Sequence, residues 1–295
     1  MIHTIGNGIL TVAAEELGAQ LQSIRSADGT QYLWQGDAKY WKGRAPNIFP
    51  YVARLWQGRY EIDGNIYELP IHGFAPTSRF ELTEKTDGRM TFERRSDEKT
   101  YVQYPRQFIF RVSYSLSGNR LEIVYEVVNL DEKPMYFGLG GHPGFNVPLE
   151  PEKTFEDYRL RFGGKCKPVR VGFSSDCFVN GQDEAFVLED DRILKLRHEL
   201  FDDDAIVLRD MAREVTLEAE DGARSVTVSF PDMPYLGIWH RPKSDAPYVC
   251  IEPWVSLPAK RGETTVFERQ KDLVCLRPEK RYANAWSICI NHLEM

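Results

Sequence analysis

The chain has 295 residues, a formal net charge of −7, 42% hydrophobic and 27% charged side chains, the proportions of an ordinary globular protein. Its acidic balance, with no run of Lys or Arg, argues against nucleic acid as a partner, because neutralising phosphates takes a basic surface. The start "MIHTIGNGIL" lacks the basic and long apolar segments of a secretion signal, and no stretch reaches membrane-spanning length. A soluble, cytoplasmic protein without a membrane partner is therefore expected.

In chain order, turn signals recur almost throughout: Gly6-Asn7-Gly8, Asp28-Gly29, Asp63-Gly64, Asp87-Gly88, Ser117-Gly118-Asn119, Asn180-Gly181 and Asp221-Gly222. Asx-Gly pairs supply the positive φ angles of tight hairpins, so their repetition between apolar runs predicts antiparallel sheet. Alternation of Leu121, Ile123, Tyr125 and Val127 with the residues between them predicts a strand over Arg120–Val128. The stretch Arg192–Phe201, "RILKLRHELF", is the main helical expectation, ended by Asp202-Asp203-Asp204. Val226 and Val228 alternate with serine and threonine, which predicts a strand over Ser225–Phe230. In Tyr248–Glu252, Val249 and Ile251 should face the space between two sheets, with Tyr248, Cys250 and Glu252 on the other side. The same parity puts His72 and Phe74 together, opposite Ile71 and Gly73. No linker, internal repeat or compositional break is visible, so one all-β domain over 1–295, a large antiparallel β-sandwich, is expected. The five cysteines, Cys166, Cys177, Cys250, Cys275 and Cys289, are scattered and form no CxxC pair. They predict free thiols, with neither a zinc site nor a disulfide framework.

Three short polar islands carry the chemistry: "IHGFA" (71–75), "GGHPGFN" (140–146) and "CIEPW" (250–254). Each sets one titratable side chain, His72, His142 or Glu252, among glycines, prolines and aromatics. Two imidazoles and a carboxylate can take a proton from one substrate oxygen while giving one to another, a general acid–base toolkit needing no cofactor. A free glutamate titrates at about 4.3 and a free histidine at about 6.5, so an ionised Glu252 and a partly protonated His142 are expected near neutrality. The structural alternatives are a turn histidine at 142, a core histidine at 72 and a salt-bridged strand carboxylate at 252. Burying that carboxylate without a partner would be costly.

Together with "YLWQGDAKYWKGRAPNIFPYVARL" (32–55), "YPRQFIFRV" (104–112) and "MPYLGIWH" (233–240), the islands resemble the aldose 1-epimerase (galactose mutarotase) family. The resemblance runs from roughly residue 30 to residue 260. It implies a galactose mutarotase-like supersandwich with an open cleft. It also implies interconversion of the α and β anomers of a small-molecule sugar, a hexose or pentose. By motif, Glu252 matches the base that takes the proton of the anomeric hydroxyl, and His142 the acid that gives one to the ring oxygen. His72 and Arg54 match residues that hold the sugar. One aspartate of "FDDDAIVL" (201–208) should do the same, Asp204 before Asp203, although adjacent acids also make solvated turns. Trp34, Phe145, Trp239 and Trp254 suit stacking on a pyranose ring or simple core packing. Pro76 stands where the family often has an arginine.

Three rival readings share these residues. A hexose-6-phosphate 1-epimerase would need basic residues gathered near the sugar's C6 end, for which Arg54, Arg44 and Lys42 are available. A metal enzyme could use His72, His142 and Glu252, but the close histidine spacing of such sites is missing, so no metal and no cofactor are expected. A non-catalytic sugar-binding protein could use the same scaffold. It would have no need of a matched proton donor and acceptor.

Overall fold

The computed structural model describes residues 1–292. Two antiparallel sheets dominate, and the apolar faces of both feed one core. The larger has nine strands, in the order Ile193–Lys195, Tyr158–Phe162, Glu214–Ala219, Arg224–Ser229, Arg281–His292, Arg120–Asn129, Phe108–Ser117, Arg89–Arg95 and Glu81–Lys85. The second has eight. Its central strand, Tyr248–Trp254, pairs with Tyr235–Trp239 on one side and with Gly140–Gly141 and Gly144–Asn146 on the other. Ile206–Arg209 extends it at one flank and Asn47–Ile48 at the other. This is the all-β antiparallel sandwich that the alternating runs predict.

The period of two places the core. Ile123, Tyr125, Ile288 and Trp286 from the nine-stranded sheet meet Leu236, Ile238, Val249 and Ile251 from the eight-stranded one in a single apolar cluster. Burying a Val or Ile side chain fully contributes roughly 1.5–3 kcal/mol, so these inward positions pin the register of each strand. A slip of one residue would turn Val249 and Ile251 out of the core and Cys250 and Glu252 into it. Turn chemistry agrees. Asp63 and Gly64, both at positive φ (51° and 73°), join Arg59–Ile62 to Asn65–Glu68. Gly118 (φ 57°) joins Phe108–Ser117 to Arg120–Asn129, the left-handed geometry that hairpins favour.

Two local expectations are corrected. Arg192–Phe201 is not a helix: Ile193–Lys195 is the edge strand beside Tyr158–Phe162, and His198–Phe201 is a short 3-10 turn. Leu194 and Leu196 are both buried while Lys195 is exposed, a two-residue alternation that satisfies the sheet edge better than one helical face. Ile71–Ala75 is not a strand either, because His72 and Gly73 adopt φ of 64° and 71°. The chain turns there, so Ile71 is exposed and Phe74 enters the core without His72 beside it. Among the described residues no helix is long and apolar enough to cross a membrane.

Candidate active site

Glu252 sits on the face of the eight-stranded sheet turned away from the core, as the parity of its strand requires. Its cross-strand partner is Gly237. A Cβ at that position would come within 2.8 Å of the Trp254 ring and 3.3 Å of the Glu252 Cβ, so the missing side chain is what lets the carboxylate and the indole lie over the sheet. Glu252 is only 2% exposed.

His142 reaches Glu252 from the neighbouring segment. Its backbone N–H donates to the Pro46 carbonyl (3.0 Å), and the next carbonyl, of Pro143, accepts from Ile251 N–H (3.1 Å). These bonds hold the loop against both the Asn47–Ile48 and Tyr248–Trp254 strands. His142 Nε2 thereby stands 3.3 Å from Glu252 Oε2. The Trp41 ring stacks on the imidazole (centroids 4.8 Å apart), and Trp239 meets both edge-on. Glu252 Oε2, His142 Nδ1 and Trp254 Nε1 are buried without a hydrogen-bond partner among the described residues. These three groups leave hydrogen-bonding capacity open in one patch, which buried polar groups ordinarily use.

His72 lies beside this pair, its ring 5.3 Å from that of His142 and edge-on to it. The turn that carries it depends on Gly73, whose added Cβ would lie 2.2 Å from the Phe49 carbonyl oxygen. The backbone N–H of Ala53 donates to His72 Nδ1 (3.2 Å). An N–H can only donate, so the neutral ring carries its hydrogen on Nε2. Arg54 follows directly, tied by its carbonyl to Ala259 N–H, and its guanidinium charge acts on His72. Asp204 has φ 79°, with Oδ1 accepting from Ala205 N–H and Oδ2 from the Cys177 thiol, both at 2.9 Å. Asp203 is exposed. It is the Asp204 charge that presses on Glu252.

Burial controls protonation here. Loss of solvent pushes Glu252 well above the ordinary carboxylate range, and the Asp204 charge adds to it. Loss of solvent, then the nearby His72, pushes His142 well below the ordinary imidazole range. His72 falls to about 4 through burial and the Arg54 charge. An ionised Glu252 beside a protonated His142 is thus not the favoured resting form. Burial favours the neutral form of each member, because a low-dielectric setting penalises charge on either.

Trp41 carries no sequence signal of its place here, and Cys177 and Cys250 read in the sequence only as free thiols, Cys250 on the face of Glu252. Trp41 belongs to a loop with no period, and the two thiols have no motif spacing. Cys250 is two residues from Glu252 on the same strand face, and the donor atoms of His142, Cys250 and Glu252 all lie within 4.8 Å of one another. Among the described residues, those three form the group able to hold a metal. Of the aromatics, Trp34 is taken up by stacking on Tyr248 and by bonding the Trp41 carbonyl, and Phe145 by the core. Pro76 opens a short 3-10 turn whose carbonyl packs against Gly18. The basic residues Arg54, Arg44 and Lys42 do not form a cluster: Arg44 donates to the Gln22 carbonyl and Lys42 is exposed. A separate cavity of about 630 Å³, lined by Leu257, Thr265, Gln270 and their neighbours, includes none of the five predicted site residues.

The sequence profile of the Aldose 1-epimerase family matches residues 1–271, beyond both ends of the motif-bearing stretch. Protein LacX (chromosomal) of Lactococcus lactis subsp. lactis is 33% identical over 302 residues, covering 98% of this chain and 99% of that relative. The crystal structure of a galactose mutarotase related enzyme from Lactobacillus acidophilus superposes with a TM-score of 0.94 at 32% identity, over all of both chains. A galactose mutarotase-like protein from Lactobacillus casei ATCC 334 gives 0.92 at 30%, over 99% of this chain and all of that one. On fold and sequence together, the chain belongs to the aldose 1-epimerase family.

Proposed function

We propose that this protein interconverts the α and β anomers of an aldose by ring opening and reclosure, without a cofactor, using Glu252 and His142 as the proton-transfer pair. The observation that carries this reading is the buried 3.3 Å approach of His142 Nε2 to Glu252 Oε2. A sugar presents two oxygens that must exchange protons, the anomeric hydroxyl and the ring oxygen. A pair that can pass one proton between its members suits both ends of that exchange. Glu252 in its ionised form takes the hydroxyl proton while protonated His142 delivers one to the ring oxygen. The C–O bond to the ring oxygen breaks, the open aldehyde turns about its C1–C2 bond, and the reverse transfers close the ring on the other face.

The working form, with Glu252 ionised and His142 protonated, is reached by moving a proton from the carboxyl group across the short contact. Binding assists, because the hydroxyl donates to the carboxylate as it ionises. His72 offers an Nε2–H to a sugar oxygen, Arg54 a free guanidinium, and Asp204 a carboxylate for a hydroxyl. Trp239 and Trp41 supply apolar walls for the C–H face. Each positioned acid or base contributes roughly 10²–10⁴-fold, enough for a reaction that already runs slowly in water.

Polarimetry on freshly dissolved α-anomers of galactose, glucose and their 6-phosphates tests the proposal. Faster decay of optical rotation with the protein than in buffer supports it and shows whether a phosphate matters. Binding of these sugars with no acceleration for any of them would instead favour a sugar-binding role.

A further inference from the structure

We propose that His142, Cys250 and Glu252 form a binding site for a thiophilic divalent cation such as zinc, and that occupancy of it shuts the proposed acid–base pair. The site is a second use of the patch. Its binding chemistry stands on the donor atoms alone, and only the inhibitory consequence rests on the anomerase reading.

The donors are an imidazole nitrogen, a thiol sulfur and a carboxylate oxygen, each on a buried residue, all within 4.8 Å of one another. Tetrahedral zinc, with bonds of roughly 2.0–2.3 Å, places nitrogen and oxygen donors about 3.3 Å apart and sulfur about 3.5 Å from either. His142 Nε2 and Glu252 Oε2 already stand at 3.3 Å, so only the Cys250 side chain must move inward. Calcium and magnesium seek all-oxygen shells, whereas this mixed set of nitrogen, sulfur and oxygen suits zinc. Entry is from the His142 side, the most exposed of the three (8% against 2% for Glu252 and none for Cys250). Three protein ligands leave a fourth position for water.

Charge balance favours the complex in so dry a place. The cation's two positive charges meet one thiolate and one carboxylate, with a neutral imidazole, giving a net charge of zero. On binding, the Cys250 thiol proton leaves to solvent, with any proton that the carboxyl group carries, and no oxidation state changes. The two lone pairs that would work on a sugar then face the metal.

The test is calorimetric titration of the metal-free full chain with zinc, in two buffers of different protonation enthalpy, alongside cobalt(II) titration followed by absorption. The expected result is one cation per chain at this site, proton release on binding, and a thiolate-to-cobalt charge-transfer band. Cys250→Ser and His142→Asn should each weaken zinc binding at least tenfold, and the former should abolish the band. Near-ultraviolet circular dichroism establishes that each variant is folded; should the serine variant fail, His142→Asn, at the rim, carries the test. Unchanged affinity in the folded variants, or a cobalt band that survives loss of Cys250, overturns the site. Zinc bound with the predicted proton release but no sugar turnover by the metal-free protein would leave the site standing and remove the anomerase reading.

Discussion

Two pairs of histidines lie near the sheet that carries Glu252, and their difference is instructive. His198 and His240 are bonded to each other, and both His240 nitrogens are used. Their Nδ1 and Nε2 atoms are 3.1 Å apart, and His240 Nδ1 lies 2.7 Å from the Arg241 carbonyl. A carbonyl only accepts, so His240 Nδ1 carries the hydrogen and its Nε2 accepts from His198 Nδ1–H. Phe155 stacks on His198 and Phe201 packs on His240. His72 and His142 are arranged otherwise. The first has one nitrogen committed and the second has none bonded, next to a carboxylate oxygen equally without a partner. The bonded pair stabilises the fold, and the open pair holds hydrogen-bonding capacity in reserve for a ligand. Buried unpaired groups of that kind cost about 1–3 kcal/mol each, a cost that function explains and packing does not.

Among single variants, the largest effect should come from the open pair. His142→Asn should reduce turnover by roughly 10²–10⁴-fold while the protein stays folded, as read by polarimetry and circular dichroism. Retention of near wild-type rate would remove His142 from the acid role. Next is Asp204. Asp204→Asn should raise KM roughly tenfold or more, the usual value of a hydrogen bond to a charged group, whereas Asp203→Asn, at an exposed position, should leave KM unchanged. Equal effects of the two would show that the aspartate run acts only as a charged surface.

The pH profile sharpens the same contrast. Ordinary values would confine the one-proton state of the pair between about 4.3 and 6.5. Here His142 is lowered and Glu252 raised. A second proton is therefore gained only well below pH 6.5, and the last one lost only well above pH 4.5. The alkaline limb of kcat/KM should therefore lie above the ordinary carboxylate value, and a profile already falling at pH 4.5 would contradict the raised Glu252. The smallest effect on turnover should be that of His198→Ala. It leaves His240 Nε2 buried without its donor, which should lower stability by about 1–3 kcal/mol in chemical denaturation without altering the rate.

The parts legible in the sequence are those with a period. Alternation in "YVCIEPW" separates Val249 and Ile251 from Cys250 and Glu252, and the structure keeps that separation. The same signal failed in "IHGFA" because positive φ at His72 breaks the alternation, and histidine in that conformation leaves no mark in composition. It failed again in "RILKLRHELF", where apolar spacing fits either a helix face or an edge strand. Contacts across the chain are a different matter. His142 and Glu252 are 110 positions apart, and no local pattern sets their 3.3 Å approach. The family resemblance is what named them together. Trp41, which covers His142, was illegible because a loop aromatic has neither period nor partner in the sequence.

The most direct test of the central claim combines sugar titration and polarimetry on one preparation of Glu252→Gln. The amide keeps the shape of the side chain and removes its ability to take a proton. The account predicts a folded protein that binds the sugar within about tenfold of wild type, a margin of about 1.4 kcal/mol, and accelerates mutarotation no more than buffer does. Turnover near the wild-type rate in that variant would contradict it.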